Sequence, residues 1–157
     1  MKRKVLIIAL IIVLLAGFVY FVPVPIPVNK TLDGILWQEE EGPLQTQKRT
    51  VEVKGTYYLY LFKNDHFSGK ISISGKEFLY TVSSRSKMMD MSISEEGVAY
   101  PSFNWYDPGM NQGRHESLGL LYIDGIMEKL YFEMDEGYLA VPAANRDEAI
   151  QIAERIK

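Results

Sequence analysis

The 157-residue sequence contains no cysteine. Disulfides, thiolate-bound zinc and lipid attachment at a lipobox cysteine are therefore excluded, and any folded part must rest on its hydrophobic core. Histidine is scarce, with only His66 and His115. His115-Glu116 has no second histidine four residues on, so the helical metalloprotease pattern fails. A G-x-S-x-G elbow, a phosphate loop and a dinucleotide glycine fingerprint are also missing. Ser68-Gly69-Lys70 and Ser86-Lys87 bring serine near lysine, but not at the S-x-x-K spacing. No motif calls for a metal or a cofactor, and no residue is assigned to catalysis.

Charge is missing altogether from Val5 to Val22, VLIIALIIVLLAGFVYFV. Lys2, Arg3 and Lys4 precede this run and Pro23 closes it. About 18 residues at about 1.5 Å each make roughly 27 Å of helix, close to the roughly 30 Å hydrocarbon core of a bilayer. The run predicts a membrane-spanning helix over 5–22, with the lipid bilayer as its partner. A cleaved secretory signal is the competing reading and would give a secreted protein. It shares the basic start, but Ala16 and Gly17 lie inside the apolar run and no A-x-A site follows. The positive-inside rule makes residues 1–4 a cytoplasmic tip and puts everything from Pro23 outside, single-pass in the plasma membrane. Phe18, Tyr20 and Phe21 would stand at the outer headgroup zone.

All 20 acidic residues follow this run, with 14 of the 17 basic ones, so the outer part carries a net charge near −6. An acidic exterior argues against nucleic acid or anionic lipid headgroups as partners, since both select for basic patches. An exported domain without disulfides is ordinary for a bacterial envelope. Asn29-Lys30-Thr31 matches a glycosylation acceptor, a pattern common by chance.

Pro23, Pro25 and Pro27 alternate with Val24, Ile26 and Val28. Proline at every second position blocks a helix and favours an extended path. Residues 23–28 read as a stiff stalk, or as a segment whose valines and isoleucine pack on the domain or dip into the membrane interface. Residues 29–157 are enough for one domain. Thr31 to Gly34 reads as a turn, Ile35 to Trp37 as a short strand, and Glu39 to Glu41 as a solvated loop. Val51 and Val53 alternate with polar residues, Gly55 marks a bulge or bend, and Tyr57 to Phe62 forms an aromatic strand. His66 falls in the following turn. Phe67, Gly69, Ile71 and Ile73 alternate with Ser68, Lys70, Ser72 and Ser74, the clearest strand in the chain. Further strands are predicted over 78–82, 88–93, 117–123, 126–134 and 138–141, with Asp124-Gly125 as a two-residue hairpin turn. Asn145 and Glu148 form a capping box ahead of a helix striped by Ala149, Ile152, Ala153 and Ile156.

The predicted fold is all-β, an antiparallel meander closed into a partial barrel or a sandwich, with one C-terminal α-helix and an N-terminal transmembrane helix. A sheet followed by a terminal helix is similar to the lipocalin arrangement, but no lipocalin signature accompanies it. The longest irregular stretch is 101–116, turned by Asp107-Pro108-Gly109. Its Trp105, Tyr106, Arg114 and His115 form a candidate binding loop, because aromatics with an arginine anchor interfaces and stack on ligands. Two functions follow as expectations. The first is an anchored extracytoplasmic binding or accessory module that takes an envelope protein or a small ligand. The second is an envelope hydrolase using Asp107 and Glu116 as an acid and base pair.

Overall fold

A computed structural model describes residues 7, 10–12, 17, 20–38, 46–75, 89–107, 112–117 and 119–157, with the backbone alone at 89–90, 102–107 and 112–117. Ten strands and one C-terminal helix are found among them: β1 Val24–Trp37, β2 Gln47–Leu59, β3 Asp65–Ile73, β4 Met89–Ile93, β5 Val98–Ala99, β6 Ser102–Asp107, β7 Gln112–Ser117, β8 Leu120–Asp124, β9 Lys129–Met134, β10 Gly137–Val141 and α1 Arg146–Ile156. Eight strands close an antiparallel barrel in the order β1-β10-β9-β8-β5-β4-β3-β2. The choice between barrel and sandwich is thereby decided for the barrel. The remaining pair, β6 and β7, forms a separate two-stranded ribbon.

The proline-rich run does not stand apart as a stalk. Val24 to Val28 is the first part of β1 and pairs with Leu59 to Gly55 of β2. The expected turn at 31–34 is strand as well, since β1 runs unbroken to Trp37. Alternate residues of a strand aim their N–H groups the same way, so prolines at 23, 25 and 27 spare the donors of the residues between them. β10 pairs only with Ile35 to Trp37, which leaves the proline part of β1 on an edge. Val28 is buried there, and Ile26 and Leu32 pack against the core.

The interior is filled. Val51, Val53, Phe67, Ile71, Met91, Ile93, Leu121, Leu130, Phe132 and Leu139 belong to one buried cluster. An eight-stranded barrel has an interior that side chains can fill or that can hold one small ligand, and among the described residues large apolar side chains occupy it. β3 shows the predicted alternation, with Phe67, Gly69, Ile71 and Ile73 buried. Gly55 makes no bulge. It pairs with Gly69 across the sheet, and a Cβ on Gly69 would stand 2.6 Å from both the Gly55 Cα and the Phe67 ring edge. The two glycines make room for a ring.

A second cluster lies outside the barrel wall. Ile35, Trp37, Tyr131 and Ala140 are buried beneath Ala149 and Ala153 of α1. Asn145 caps the helix as predicted, its Oδ1 accepting from the Glu148 N–H at 3.0 Å. The Glu148 carboxylate accepts in turn from the Ala144 N–H at 2.9 Å. The β8–β9 connection is four residues rather than two, closed by a 3.1 Å bond from the Glu128 N–H to the Asp124 carbonyl. The predicted strand 78–82 and the acidic run 39–41 lie outside the described residues.

Of positions 5–22, Ile7, Leu10, Ile11, Ile12, Gly17, Tyr20 and Phe21 are described as helical, and Val22 follows them. No helix among the described residues is long and apolar enough to cross a membrane.

Candidate functional site

Three places carry side chains or backbone that a partner or ligand can meet. The first is the barrel mouth, at the end where β1 begins and β2 finishes. A cleft of about 390 Å³ opens there between Tyr57 and Leu59 of β2, Asp65 of β3, the β4–β5 turn and Ile126. Tyr57, Asp65, Ser94 and Glu96 are already engaged. The Tyr57 hydroxyl donates to Asp65 Oδ2 at 2.7 Å, and the Tyr60 N–H donates to Asp65 Oδ1 at 2.9 Å. Burial, then the Asp65 carboxylate, pushes the Tyr57 hydroxyl above the ordinary tyrosine range. Both Asp65 oxygens hold the β2–β3 turn, which is a structural task and not that of a free base. Ser94 hydrogen-bonds Glu96 and lowers its carboxyl below the usual range, so Glu96 stays ionised and has no proton to give near neutral pH. The Lys30 ammonium crosses to the β8–β9 turn and donates to the Ile126 carbonyl at 2.7 Å.

The second place is a cleft of about 430 Å³ on the wall, lined by Asp33, Gly34, Lys48, Arg49, Thr50, Ala143 and Ala144. Asp33 and Arg49 are tied down. Thr50 Oγ1 donates to Asp33 Oδ1 at 2.7 Å, and Arg49 donates to the Ser74 carbonyl at 2.9 Å and to Gln47 Oε1 at 2.7 Å.

The third is the β6–β7 ribbon, which carries all four residues of the candidate loop. The stretch 101–116 is therefore largely strand and not irregular. Trp105 pairs with Arg114, Tyr106 with Gly113 and Asn104 with His115. The fold thus gathers Trp105, Tyr106, Arg114 and His115 within three adjacent rungs of one ribbon. Asp107 pairs with Gln112 and Glu116 with Phe103, four rungs apart. At about 3.3 Å per residue the two backbones lie roughly 13 Å apart.

His66 is not in a turn but on β3, paired with Tyr58 and Ser92, its ring 6.0 Å from that of Tyr58. Among the described residues no group of three His, Asp or Glu side chains converges to hold a metal. Ser84 and Lys87 do stand at the S-x-x-K spacing, but the accompanying S-D-N and K-T-G motifs are absent from the sequence and both residues lie outside the described ones. One feature was hidden in sequence. Leu61 and Phe62 read as the end of an aromatic strand, yet β2 stops at Leu59 and both side chains are 63% exposed in the β2–β3 turn. Two large apolar residues against the polar Lys63-Asn64 were the available sign.

Comparison with protein-family profiles, curated proteins and solved structures gives no match.

Proposed function

We propose that this chain is a single-pass membrane-anchored module of the cell envelope, its barrel held outside the plasma membrane to bind or assist another envelope component. The observation that carries the reading is the uncharged run of 5–22 behind three basic residues. Its described members are in keeping with that reading: Ile7, Leu10, Ile11 and Ile12 are helical and half or more exposed. In water such a helix would leave a large apolar surface uncovered, a state that marks a membrane or partner contact.

The large apolar side chains that occupy the barrel interior among the described residues favour a partner bound on the outside over a small ligand held within. The β6–β7 ribbon supports that choice, because it stands outside the closed ladder and groups an aromatic pair with an arginine and a histidine. A two-stranded ribbon also has two edges, and edges pair with incoming strands.

The absence of cysteine makes the test direct. A cysteine at exposed Asp135 should react with an impermeant maleimide on intact cells, and one at Lys2 only after lysis. The reverse pattern, or mature protein that begins after Val22, would refute the anchor. A photo-crosslinker at Trp105 should then trap a defined envelope component, with the yield reduced by Arg114→Ala. Equal trapping from a crosslinker at Asp135 would remove the ribbon as the binding surface.

A further inference from the structure

The β2–β3 turn is a rim that the proposed anchor explains. Leu61 and Phe62 are both 63% exposed, and Phe21, Val22 and Val24 beside them are 66%, 45% and 54% exposed. The turn meets the end of the N-terminal helix directly. The Phe62 ring stacks on Tyr20 with centroids 5.7 Å apart. The Lys63 ammonium lies 5.3 Å from the centre of the Tyr20 ring and 4.6 Å from that of Phe21.

These contacts fix a depth. Tyr20 and Phe21 are the last helical residues before β1, and amphipathic rings at the end of a spanning helix sit at the headgroup level. A ring stacked on Tyr20 shares that level. From the membrane anchor proposed above, on which this step rests, we infer that Leu61 and Phe62 insert into the outer interface of the bilayer and that the barrel is seated on the lipid surface.

Lys63 fits the same place. Its ammonium lies over the Tyr20 and Phe21 rings, at the level where lysines at membrane interfaces meet headgroup phosphate. Attraction of the whole rim to anionic lipid is not the cause, since Glu95 and Glu96 on the β4–β5 turn line the cleft at this end. The contact is one of apolar side chains with lipid, in the manner of an interfacial segment buried roughly 5–10 Å into the headgroup and acyl boundary.

The experiment uses the full chain in phosphatidylcholine vesicles. Single cysteines at Leu61, Phe62 and Asp135 are labelled with an environment-sensitive fluorophore. Asp135 is exposed in the β9–β10 turn, at the opposite end of the barrel. The labels at 61 and 62 should be blue-shifted and quenched several-fold more by spin-labelled lipid than the label at 135. A chain that resists alkaline carbonate extraction but gives equal emission and quenching at all three sites would overturn the seating and leave the anchor standing. A chain released by carbonate would overturn the anchor and the seating with it.

Discussion

Gly69→Ala tests the way the sheet accommodates Phe67. The added methyl would stand 2.6 Å from the Gly55 Cα, 2.6 Å from Phe67 Cζ and against the Lys54 carbonyl. Carbon atoms prefer separations of about 3.5–4.0 Å, so the overlap is about 1 Å, and much of it is against backbone that cannot rotate away. Overpacking of this kind costs about 1–3 kcal/mol. Alanine recovers about 0.5–1 kcal/mol by restricting the unfolded chain, leaving a net loss of about 0–2.5 kcal/mol. In urea the midpoint should fall by up to roughly 1 M with the slope unchanged.

Phe67 supplies the second half of this test. Its ring is fully buried over the two glycines. Phe67→Leu alone opens space and should cost about 1–2 kcal/mol. In the Gly69→Ala background the same change relieves the methyl–ring overlap, so its cost should shrink by at least about 0.5 kcal/mol. Gly69→Ala that stabilises the chain, or strict additivity of the two changes, would refute the glycine–ring arrangement.

Three further outcomes are expected. Asn145→Ala removes the side chain that accepts from the Glu148 N–H and should lower stability by about 1 kcal/mol in urea titration, with Asn145→Asp restoring most of it. Trp37→Ala empties the site stacked against Tyr131 and Tyr138, with centroids 6.2 and 5.8 Å away, and should cost about 3–5 kcal/mol; a midpoint unchanged in urea would mean that α1 does not depend on this seat. Tyr57 and Tyr131 both have hydroxyls raised above the ordinary range, chiefly by burial. Above about pH 10 the unfolded chain loses these protons first, so stability is full below that pH and falls as pH rises toward the folded values. Tyr57→Phe should flatten part of that fall in urea midpoints measured from pH 8 to 11, and an unaltered slope would show that Tyr57 does not supply it.

Legibility in the sequence followed burial. β3 was plain because one face is core and the other polar, so Phe67, Gly69, Ile71 and Ile73 alternate without exception. Ile35-Leu36-Trp37 shows no alternation because both faces are covered, Leu36 by the core and its neighbours by the layer under α1. The capping box is readable because it is local: its bonds join Ala144, Asn145 and Glu148 and stay within 144–148. The extent of β1 was not, because its Asp33-Gly34 carries turn chemistry and only pairing with Thr50 and Arg49, far along the chain, keeps it extended. Asp107-Pro108-Gly109 obscures the ribbon likewise, because its turn chemistry makes 101–116 read as irregular while β6 and β7 show only in their pairing. The candidate residues were identified in sequence, but their grouping within three rungs needed the register of β6 against β7.

The junction between the proposed anchor and the barrel carries the last step. Phe21 is helical and Val24 is already strand, so only Val22 and Pro23 lie between them. A connection of two residues, one of them a proline with fixed φ, permits little independent motion. Beyond it β1 is held by thirteen register pairs with β2, from Val24↔Leu59 to Leu36↔Gln47. The strand cannot be drawn out as a spacer without breaking that ladder and exposing Val28. The end of β2 therefore stays level with the end of the helix, and the turn that follows it has nowhere to go but the same plane. If the helix is in the bilayer, the apolar pair at 61 and 62 meets lipid as a consequence of chain geometry, not through a separate affinity. Inserting a flexible Gly-Ser segment between Val22 and Pro23 should for that reason weaken lipid quenching at position 62 while carbonate resistance persists. Quenching that stayed at full strength would show that the turn holds the membrane by itself.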